Sequence, residues 1–246
     1  MTDAPIDARS PAFLIATLAR LIEGARHIAV GASSPIPGSA ALLVRRRSAG
    51  ATRVTVLGSR INNAFTDGGR ELFDCAAQDR IDVFFLGGGQ IDGEANINLV
   101  GTGGYPRSTV RFPGSFGSAY LYFLVPRVIL FREEHSRRVF VPKVEFVSAP
   151  GWSPPEVYRP GGPAALLTSL CLFDYDRARH RFALRSVHPG HTLEEVRDQT
   201  GFDFDALGTV PTTPVPDAAT LAEIRAVGSE IAETNPQFAA RLAAAA

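Results

Sequence analysis

The chain has 246 residues, of which 45% are hydrophobic and 20% charged, and its 25 basic residues are balanced by 25 acidic ones. A chain of this length predicts one large domain or two small ones and buries about 70–75% of its unfolded surface without a disulfide or a metal. Zero net charge argues against broad binding to nucleic acid or acidic membranes, which requires a clustered basic surface. We therefore expect a soluble, cytoplasmic, globular protein.

Cysteines and apolar stretches lead to three further expectations. Cys75 and Cys171 share no metal or redox spacing, so we expect buried thiols in a reducing compartment. The uncharged stretch His27–Val44 is interrupted by prolines and cannot cross a bilayer as one helix. Met1–Ser10 carries two aspartates and no apolar run, so we do not expect a signal peptide.

The first 90 residues alternate between helix and strand patterns. Ser10 and Pro11 are typical of a helix start, as is Pro37. Ile81–Leu86 is almost continuously apolar, as expected for a central parallel strand. In chain order we predict helices over 11–24, 37–47 and 70–79, and strands at His27–Ala32, Arg53–Leu57 and Ile81–Leu86.

The second half is richer in strand patterns. Gly101–Ser118 is rich in glycine and proline and predicts a functional loop. Helices are predicted to begin near Thr192, where Glu195 would complete a capping box, and at Asp217. The alanine-rich tail Phe238–Ala246 is expected to be a weak or frayed helix. The predicted strands are Arg127–Arg132, Val139–Val141, Val144–Val147, Leu166–Leu170, Leu172–Tyr175 and Phe182–Val187.

These patterns together predict an α/β fold. Alternating strands and helices favour an open, mostly parallel sheet flanked by helices, with a strand-rich second half. No internal repeat or low-complexity linker interrupts the chain. We therefore expect residues 1–246 to form a single domain.

Several common site signatures are absent or incomplete. Gly101-Thr-Gly-Gly-Tyr-Pro106 lacks the third glycine of a dinucleotide loop, and no capped helix follows it, which disfavours nicotinamide binding. His188 and His191 flank a Pro-Gly pair, so a turn with one surface histidine is favoured over a metal site. The basic run Arg45–Arg47 is best explained by the helix dipole and solvent. We expect no metal.

A glycine run follows the most apolar predicted strand. Gly87, Gly88 and Gly89 allow a ligand to approach the backbone closely, and their amides can donate to an oxyanion. Gln90 and Asp92 would orient this loop. A tight turn that requires positive φ explains the glycines equally well, so the residues alone leave both interpretations open.

Several segments together resemble the β subunit of family I CoA-transferases of the glutaconate type. The resemblance covers about residues 12 to 230, and its specificity lies in the joint order and spacing of modest motifs. These motifs are Gly31 with Pro35 and Ala40, Phe84–Asp92, Asn96–Asn98, Arg111–Ser115, Val147–Trp152, Leu172–Asp174, His188–Gly190, Glu195-Val196 and Thr200–Phe204.

This resemblance implies an open α/β fold of the CoA-transferase and NagB/RpiA-like type. It also implies an α-type partner subunit in a heterodimer or higher heteromer, an active site between the two subunits, and acyl-CoA thioesters as substrates. No bound cofactor is implied, because coenzyme A enters as part of the substrate. In the family a β-subunit glutamate attacks the thioester and forms covalent intermediates, while backbone amides stabilise the oxyanion.

The chain departs from the family at that glutamate. The acid is expected just after the strand Arg53–Val56, where Leu57 or Gly58 stands instead. Losing an essential nucleophile lowers the rate by about 10⁴- to 10⁶-fold. Asp67 would need a rearrangement to substitute, and Glu71 is expected to be solvated. We likewise expect Glu94 to be solvated, and Ser59, with no histidine nearby in sequence, to act as a hydrogen-bonding residue.

We therefore expect hydrolysis or C–C cleavage of a CoA ester through a thioester enolate, as in the ring opening of a cyclic CoA ester during steroid degradation. The alternatives are a true acyl-CoA:carboxylate CoA-transferase, a decarboxylase of an enoyl-CoA diacid, and a non-catalytic scaffold subunit. The catalytic loop is expected to comprise Gly88, Gly89, Gln90 and Asp92, and the substrate contacts to be Ser59, Asn96, Asn98, Arg111, Gly114 and Ser115. For Arg111, a substrate carboxylate and a structural salt bridge are equally supported.

Overall fold

The computed structural model describes residues 7, 10–206 and 208–244. Its helices are α1 Pro11–Ile22, α2 Pro35–Arg47, α3 Gly68–Ala77, α4 Ser118–Leu124, α5 Leu193–Gln199, α6 Ala218–Ile231 and α7 Pro236–Ala244. Its strands are β1 His27–Val30, β2 Arg53–Val56, β3 Val83–Leu86, β4 Gln90–Ile91, β5 Ile97–Asn98, β6 Gly101–Thr102, β7 Val110–Arg111, β8 Arg127–Phe131, β9 Pro163–Leu167, β10 Cys171–Asp176 and β11 Arg181–Val187.

Seven of these strands form one sheet in the order β11-β10-β9-β8-β3-β1-β2. The five strands from β9 to β2 run parallel, whereas β10 and β11 pair antiparallel at the other edge. The short strands β4–β5 and β6–β7 form two separate hairpins. The predicted open, mostly parallel α/β sheet with a strand-rich second half is confirmed.

Helices and loops cover both faces of the sheet. On one face α1 and α2 pack together with α6 and α7 around the buried side chains of β1 and β2. On the other face lie α3, α4 and the β4–β5 hairpin, with Tyr122 and Phe140 fully buried. Cys75 and Cys171 are both free and buried there, as expected. The sheet therefore separates two hydrophobic layers.

Local sequence signals explain where several helices start. Ser10 caps α1, since its Oγ accepts the amide of Phe13 at 3.3 Å, and Asp217 caps α6. Helix α2 begins at Pro35, not at the predicted Pro37, because a proline at the first helical position loses no hydrogen bond. The tail predicted as weak helix forms α7, and its last two residues lie outside the described part of the chain.

Two predicted strands are wrong. Val139–Val141 and Val144–Val147 form no strand, and within them Phe140 makes only an isolated bridge to Ile91. Their apolar pattern arises because they pack under the β4–β5 hairpin, where Ile91 accepts from Val141 and donates to the carbonyl of Val139. Sequence patterns also missed α4 and placed the start of β9 three residues late.

The structure bears on only one of the two expectations about targeting and membranes. Met1–Ser10 lies largely outside the described residues, so the expected lack of a signal peptide stays a prediction. Within the described ranges, every helix is too short or too polar to cross a membrane.

Candidate functional site

The site is built on the carboxyl edge of the parallel strands. Strands β2, β1, β3 and β8 lie side by side and end at the same edge, where Leu57, Gly31, Gly87 and Arg132 follow them. Neighbouring strands lie about 4.8 Å apart, which places Leu57 and Gly87 about 10 Å apart along this edge. The chain passes from β1 outward to β2 and then back to β3, and ligands of open α/β sheets bind at such a switch point.

A cleft of about 390 Å³ opens at this switch point. It is bounded by Ser33 and Ser34 after β1, by the first turn of α2, by Gly87 after β3, and by Arg132 and Glu133 after β8. The sequence analysis missed the two serines and Glu133. Their position directly after predicted strands was the available signal, because strand ends share one edge.

The glycine run turns the chain from β3 into the β4–β5 hairpin. A Cβ on Gly89 would lie 2.2 Å from Cε2 of Phe112, and one on Gly88 would lie 2.5 Å from Cγ2 of Ile97. None of the three glycines has a positive φ, so close packing explains them and the positive-φ turn does not. The Gly89 amide donates to the Asn98 carbonyl at 2.9 Å, which opposes its expected donation to an oxyanion.

Gln90 and Asn98 face each other in the β4–β5 hairpin and are both buried. Asn98 Nδ2 donates to Gln90 Oε1 and to the Gly101 carbonyl, both at 2.8 Å. Asn98 Oδ1 in turn accepts the amides of Val100 and Gly101. The pair therefore orients the surrounding loops, as expected for Gln90, and Asn98 has little capacity left for a substrate.

Asp92 organises the turn of the same hairpin and is only 4% exposed. Its carboxylate accepts the amides of Glu94 and Asn96 at 3.1 and 3.0 Å, the Asn96 side chain, and the amide of Val144. Burial raises the pKa of the Asp92 carboxyl, and these hydrogen bonds oppose the rise. Asp92 thus orients the loop, as expected.

Asn96 and Glu94 are also part of this packing. Asn96 Oδ1 accepts the Gly151 amide at 3.1 Å, so its predicted substrate contact is not favoured. Glu94 is exposed, but Trp152 Nε1 donates to its carboxylate at 3.2 Å. The exposure agrees with the expected solvated charge at Glu94, and the bond from Trp152 also ties the carboxylate to the neighbouring loop.

Leu57 directly follows β2, at the position where the family resemblance places an acid. Its amide extends the ladder by donating to the Val30 carbonyl at 2.9 Å, and its half-buried side chain packs against the core layer that contains the β4–β5 hairpin. Among the acids nearby in sequence, Asp67 is ion-paired with Arg70. Glu71 accepts the Thr66 amide at 2.7 Å, which lowers the pKa of its carboxyl. Both acids are thus engaged locally.

An acid that the sequence analysis missed lies beside Ser59. Ser59 Oγ donates to Glu233 Oε2 at 2.6 Å and accepts the Asn62 amide at 2.9 Å. Glu233 Oε1 accepts the Arg60 amide, and the hydrogen bond from Ser59 lowers the pKa of the Glu233 carboxyl. Ser59 therefore has the expected hydrogen-bonding role, and its contact with substrate stays a prediction that this geometry does not favour.

The remaining predicted contacts lie in and directly after β7, with Arg111 on the strand and Gly114 and Ser115 beyond it. Within the described residues the Arg111 side chain has no hydrogen-bond or ion-pair partner, so the alternative of a structural salt bridge is not realised. Gly114, with φ of +128°, is exposed, and Ser115 is partly exposed. Because Phe112 packs on Gly89, this loop and the glycine run adjoin each other.

The histidines give no sign of a metal centre. No group of three or more His, Cys, Asp or Glu side chains is arranged to hold a metal in the part of the chain that the structure describes. His188 is buried and bonded to Thr213 Oγ1 and the Thr168 carbonyl, whereas His191 pairs with Glu195 at 2.8 Å. His188 is thus a core residue within the predicted turn.

The fold and its edge define an open α/β protein with a cleft at the strand ends, and known proteins identify its family. The coenzyme A transferase family model matches residues 7–199. The chain is 33% identical to the B subunit of 3-oxoadipate CoA-transferase from Pseudomonas knackmussii over 164 residues, 64% of this chain and 63% of that protein. It is 31% identical to the B subunit of glutaconate CoA-transferase from Acidaminococcus fermentans, over 58% of this chain and 55% of that protein.

A hydrolase subunit and a decarboxylase complete the comparison. The cholesterol ring-cleaving hydrolase IpdB subunit of Rhodococcus jostii is 30% identical over 64% of this chain and 63% of its own length. The crystal structure of the decarboxylase AibA/AibB superposes with a TM-score of 0.74 at 26% identity, covering 88% of this chain and 94% of that one. The chain belongs to the coenzyme A transferase family, although it spans less than two thirds of the length of these curated relatives.

Proposed function

We propose that this chain is the β-type subunit of a cytoplasmic two-subunit enzyme that acts on a CoA thioester without a covalent glutamyl intermediate. The observation that carries the proposal is Leu57 at the end of β2, where a half-buried hydrocarbon side chain cannot attack a carbonyl. Asp67, Glu71 and Glu233 are each engaged in local hydrogen bonds or ion pairs. Coenzyme A enters only as part of the substrate.

The proposed chemistry is hydrolytic C–C cleavage of a 3-oxoacyl-CoA. Water adds to the 3-oxo carbonyl, the bond between C2 and C3 breaks, and its electron pair forms the thioester enolate, which then takes a proton at C2. Negative charge develops on the thioester oxygen, and preorganised donors at the subunit interface stabilise it. The base that activates water is proposed to come from the α-type partner, since Asp67, Glu71 and Glu233 are already engaged.

Arg111 is proposed to bind a second carboxylate of the substrate. Its guanidinium is exposed and unpaired within the described chain, and it adjoins Phe112, which packs on the glycine run. A guanidinium matches a carboxylate in a two-bond arrangement. Two relatives support a dicarboxylic substrate, because 3-oxoadipate and glutaconate, the acids in their names, are dicarboxylates. Gly114 and Ser115 would line the same pocket.

Decarboxylation of an enoyl-CoA diacid is the second candidate. The structural match to the decarboxylase AibA/AibB favours it, and it would use the same site. Loss of carbon dioxide leaves its electron pair on the thioester as a dienolate, so the same stabilisation applies. Hydrolysis and decarboxylation thus both need an oxyanion site. Neither needs a nucleophilic acid at position 57.

The proposal is tested with the chain co-purified with its α-type partner. The assembled complex is incubated in ¹⁸O-water with 3-oxoadipyl-CoA, glutaconyl-CoA and a cyclic 3-oxoacyl-CoA, and the products are followed by mass spectrometry. Hydrolysis of 3-oxoadipyl-CoA gives acetyl-CoA and ¹⁸O-labelled succinate, whereas decarboxylation of glutaconyl-CoA gives a four-carbon enoyl-CoA. A complex that only exchanges CoA with added free acids would overturn the proposal, and lack of any turnover would favour a scaffold subunit.

A further inference from the structure

We propose that Glu145 is a positioning residue that holds the loop bearing Arg111 against the glycine run. Glu145 follows the buried Val144, in the segment that packs under the β4–β5 hairpin. The kinetic part of this inference rests on the proposed function. Its structural part, that one carboxylate joins the two hairpins, stands independently.

The Glu145 carboxylate bonds to both hairpins and adds to the bonds that Asn98 makes between them. Its Oε1 accepts Nε2 of Gln90 in β4 at 3.0 Å, and its Oε2 accepts the amide of Gly103, just after β6, at 2.7 Å. Gln90 directly follows the glycine run, and Gly103 belongs to the hairpin that carries Arg111. Both groups that face the carboxylate are donors, so the position requires an acceptor at each oxygen.

The orientation of the Gln90 amide leaves no alternative arrangement. Gln90 Oε1 accepts Nδ2 of Asn98 at 2.8 Å and the backbone amide of Glu145 at 3.1 Å. A flipped amide would place its NH₂ group against these two donors. The Nε2 group must therefore point at the Glu145 carboxylate, which accordingly receives two donated hydrogen bonds.

The same contacts determine where Arg111 lies. In the β6–β7 hairpin Arg111 stands directly opposite Gly101, which is bonded on both its carbonyl and its amide to Asn98. At the other end of the hairpin, the Glu145 carboxylate accepts the Gly103 amide. Phe146, which follows Glu145, packs on Tyr105 with ring centroids 4.9 Å apart. Since the Arg111 side chain has no partner in the described chain, the contacts of its hairpin place it.

A glutamine at this position tests the requirement for two acceptors. Glu145→Gln keeps the shape but points its NH₂ group at either Gln90 Nε2 or the Gly103 amide. One of the two hydrogen bonds is lost, and we expect the β6–β7 hairpin to move away from the glycine run. The KM for 3-oxoadipyl-CoA should then rise about 10-fold, as for loss of one charge-assisted hydrogen bond, while kcat changes less than about threefold.

An exchange of the two side chains provides the rescue. In Gln90→Glu/Glu145→Gln the new carboxylate at position 90 accepts from Asn98 and from the new amide at position 145, whose oxygen accepts the Gly103 amide. Every donor again meets an acceptor. Gln90→Glu alone sets two carboxylates against each other. Its KM should therefore rise more than that of Glu145→Gln or of the double variant. Glu156→Gln, at an exposed acid without a partner in the described chain, is the matched control.

Two measurements on the assembled complex decide the inference. Hydrogen–deuterium exchange should show the Gly103 amide exchanging at least about 10-fold faster in Glu145→Gln, with protection regained in the double variant and unchanged in the control. The KM should follow the same pattern. Unchanged exchange, faster exchange without a rise in KM, or a double variant that regains nothing would each overturn the proposal. A complex that is inactive on every CoA ester refutes the proposed function instead. The exchange data still show whether Glu145 holds the Gly103 amide.

Discussion

Ser59 and Glu233, which are 174 positions apart, are joined by a hydrogen bond of 2.6 Å. This bond fastens the turn after β2 to the connection between α6 and α7. Helix α6 packs on one face of the sheet, whereas the Leu57 side chain packs into the core layer on the other. Glu233 thus supports the backbone of this turn, whereas the Leu57 side chain lies toward the opposite face of the sheet.

Adding a methyl group at Gly89 should disable the site. In Gly89→Ala the new Cβ would collide with the Phe112 ring, since it would lie 2.2 Å from Cε2. Displacing a catalytic loop by about 1 Å lowers turnover about 100-fold, and we expect that loss in kcat/KM. The check is steady-state kinetics of the assembled complex. Gly89→Ala/Phe112→Leu should recover part of the loss, and full activity of Gly89→Ala would show that this contact is irrelevant.

Arg111 should govern affinity for dicarboxylic substrates. Loss of a charge-assisted hydrogen bond weakens binding by about 1.5–3 kcal/mol, or about 10- to 100-fold. Arg111→Ala should therefore raise the KM for 3-oxoadipyl-CoA by that factor and leave the KM for 3-oxohexanoyl-CoA, which lacks the second carboxylate, nearly unchanged. Equal effects on the two esters would remove the role assigned to Arg111. Arg107→Ala, at an exposed arginine in the same loop, is the control.

The folded protein should lose stability in mild acid. Burial lowers the pKa of His135 to about 3 and that of His188 to about 4. Because an unfolded histidine titrates near 6.5, the unfolded chain gains protons below that pH while the native chain does not. The stability that the neutral histidines give the folded chain is fully present above pH 6.5 and declines as the pH falls toward 4.

The expected slope is about 1.4 kcal/mol per pH unit for each histidine. Urea unfolding between pH 7.5 and 5 measures it, and His135→Gln should reduce the total slope by about that amount. His135 is bonded on both ring nitrogens, to Thr168 Oγ1 at 2.8 Å and Thr200 Oγ1 at 2.9 Å, so a glutamine retains part of this bonding. Stability independent of pH in this range would contradict the assignment of neutral buried imidazoles.

The first half of the fold was predictable because its signals are local. Ile81–Leu86 is apolar throughout since β3 is covered on both faces, and the glycines after it indicated the strand end where the site begins. Ser10 and Asp217 marked helix starts correctly because an N-cap acts within three residues. Asp92 was expected to orient its loop, and its bonds to Glu94 and Asn96 are equally local.

The rest depended on contacts between distant segments. Val139–Val141 has a strand-like pattern, yet it is buried by the β4–β5 hairpin and pairs with no strand of the seven-stranded sheet. Glu145 belongs to no motif that the sequence shows, and its two partners lie 55 and 42 positions away. Glu233 is even farther from Ser59. No periodicity links such residues, so only the folded arrangement reveals them.

The most direct test of the central claim is covalent trapping on the wild-type complex. A glutaryl-CoA reaction is quenched with borohydride, which reduces an enzyme-bound thioester to an alcohol, and every peptide of this chain is then weighed by mass spectrometry. We predict no modified residue in the wild type and a side-chain alcohol, formed with release of CoA, at position 57 in Leu57→Glu, with Leu57→Gln as its unmodified control. An alcohol in place of the carboxylate of wild-type Asp67 or Glu233 would contradict the account.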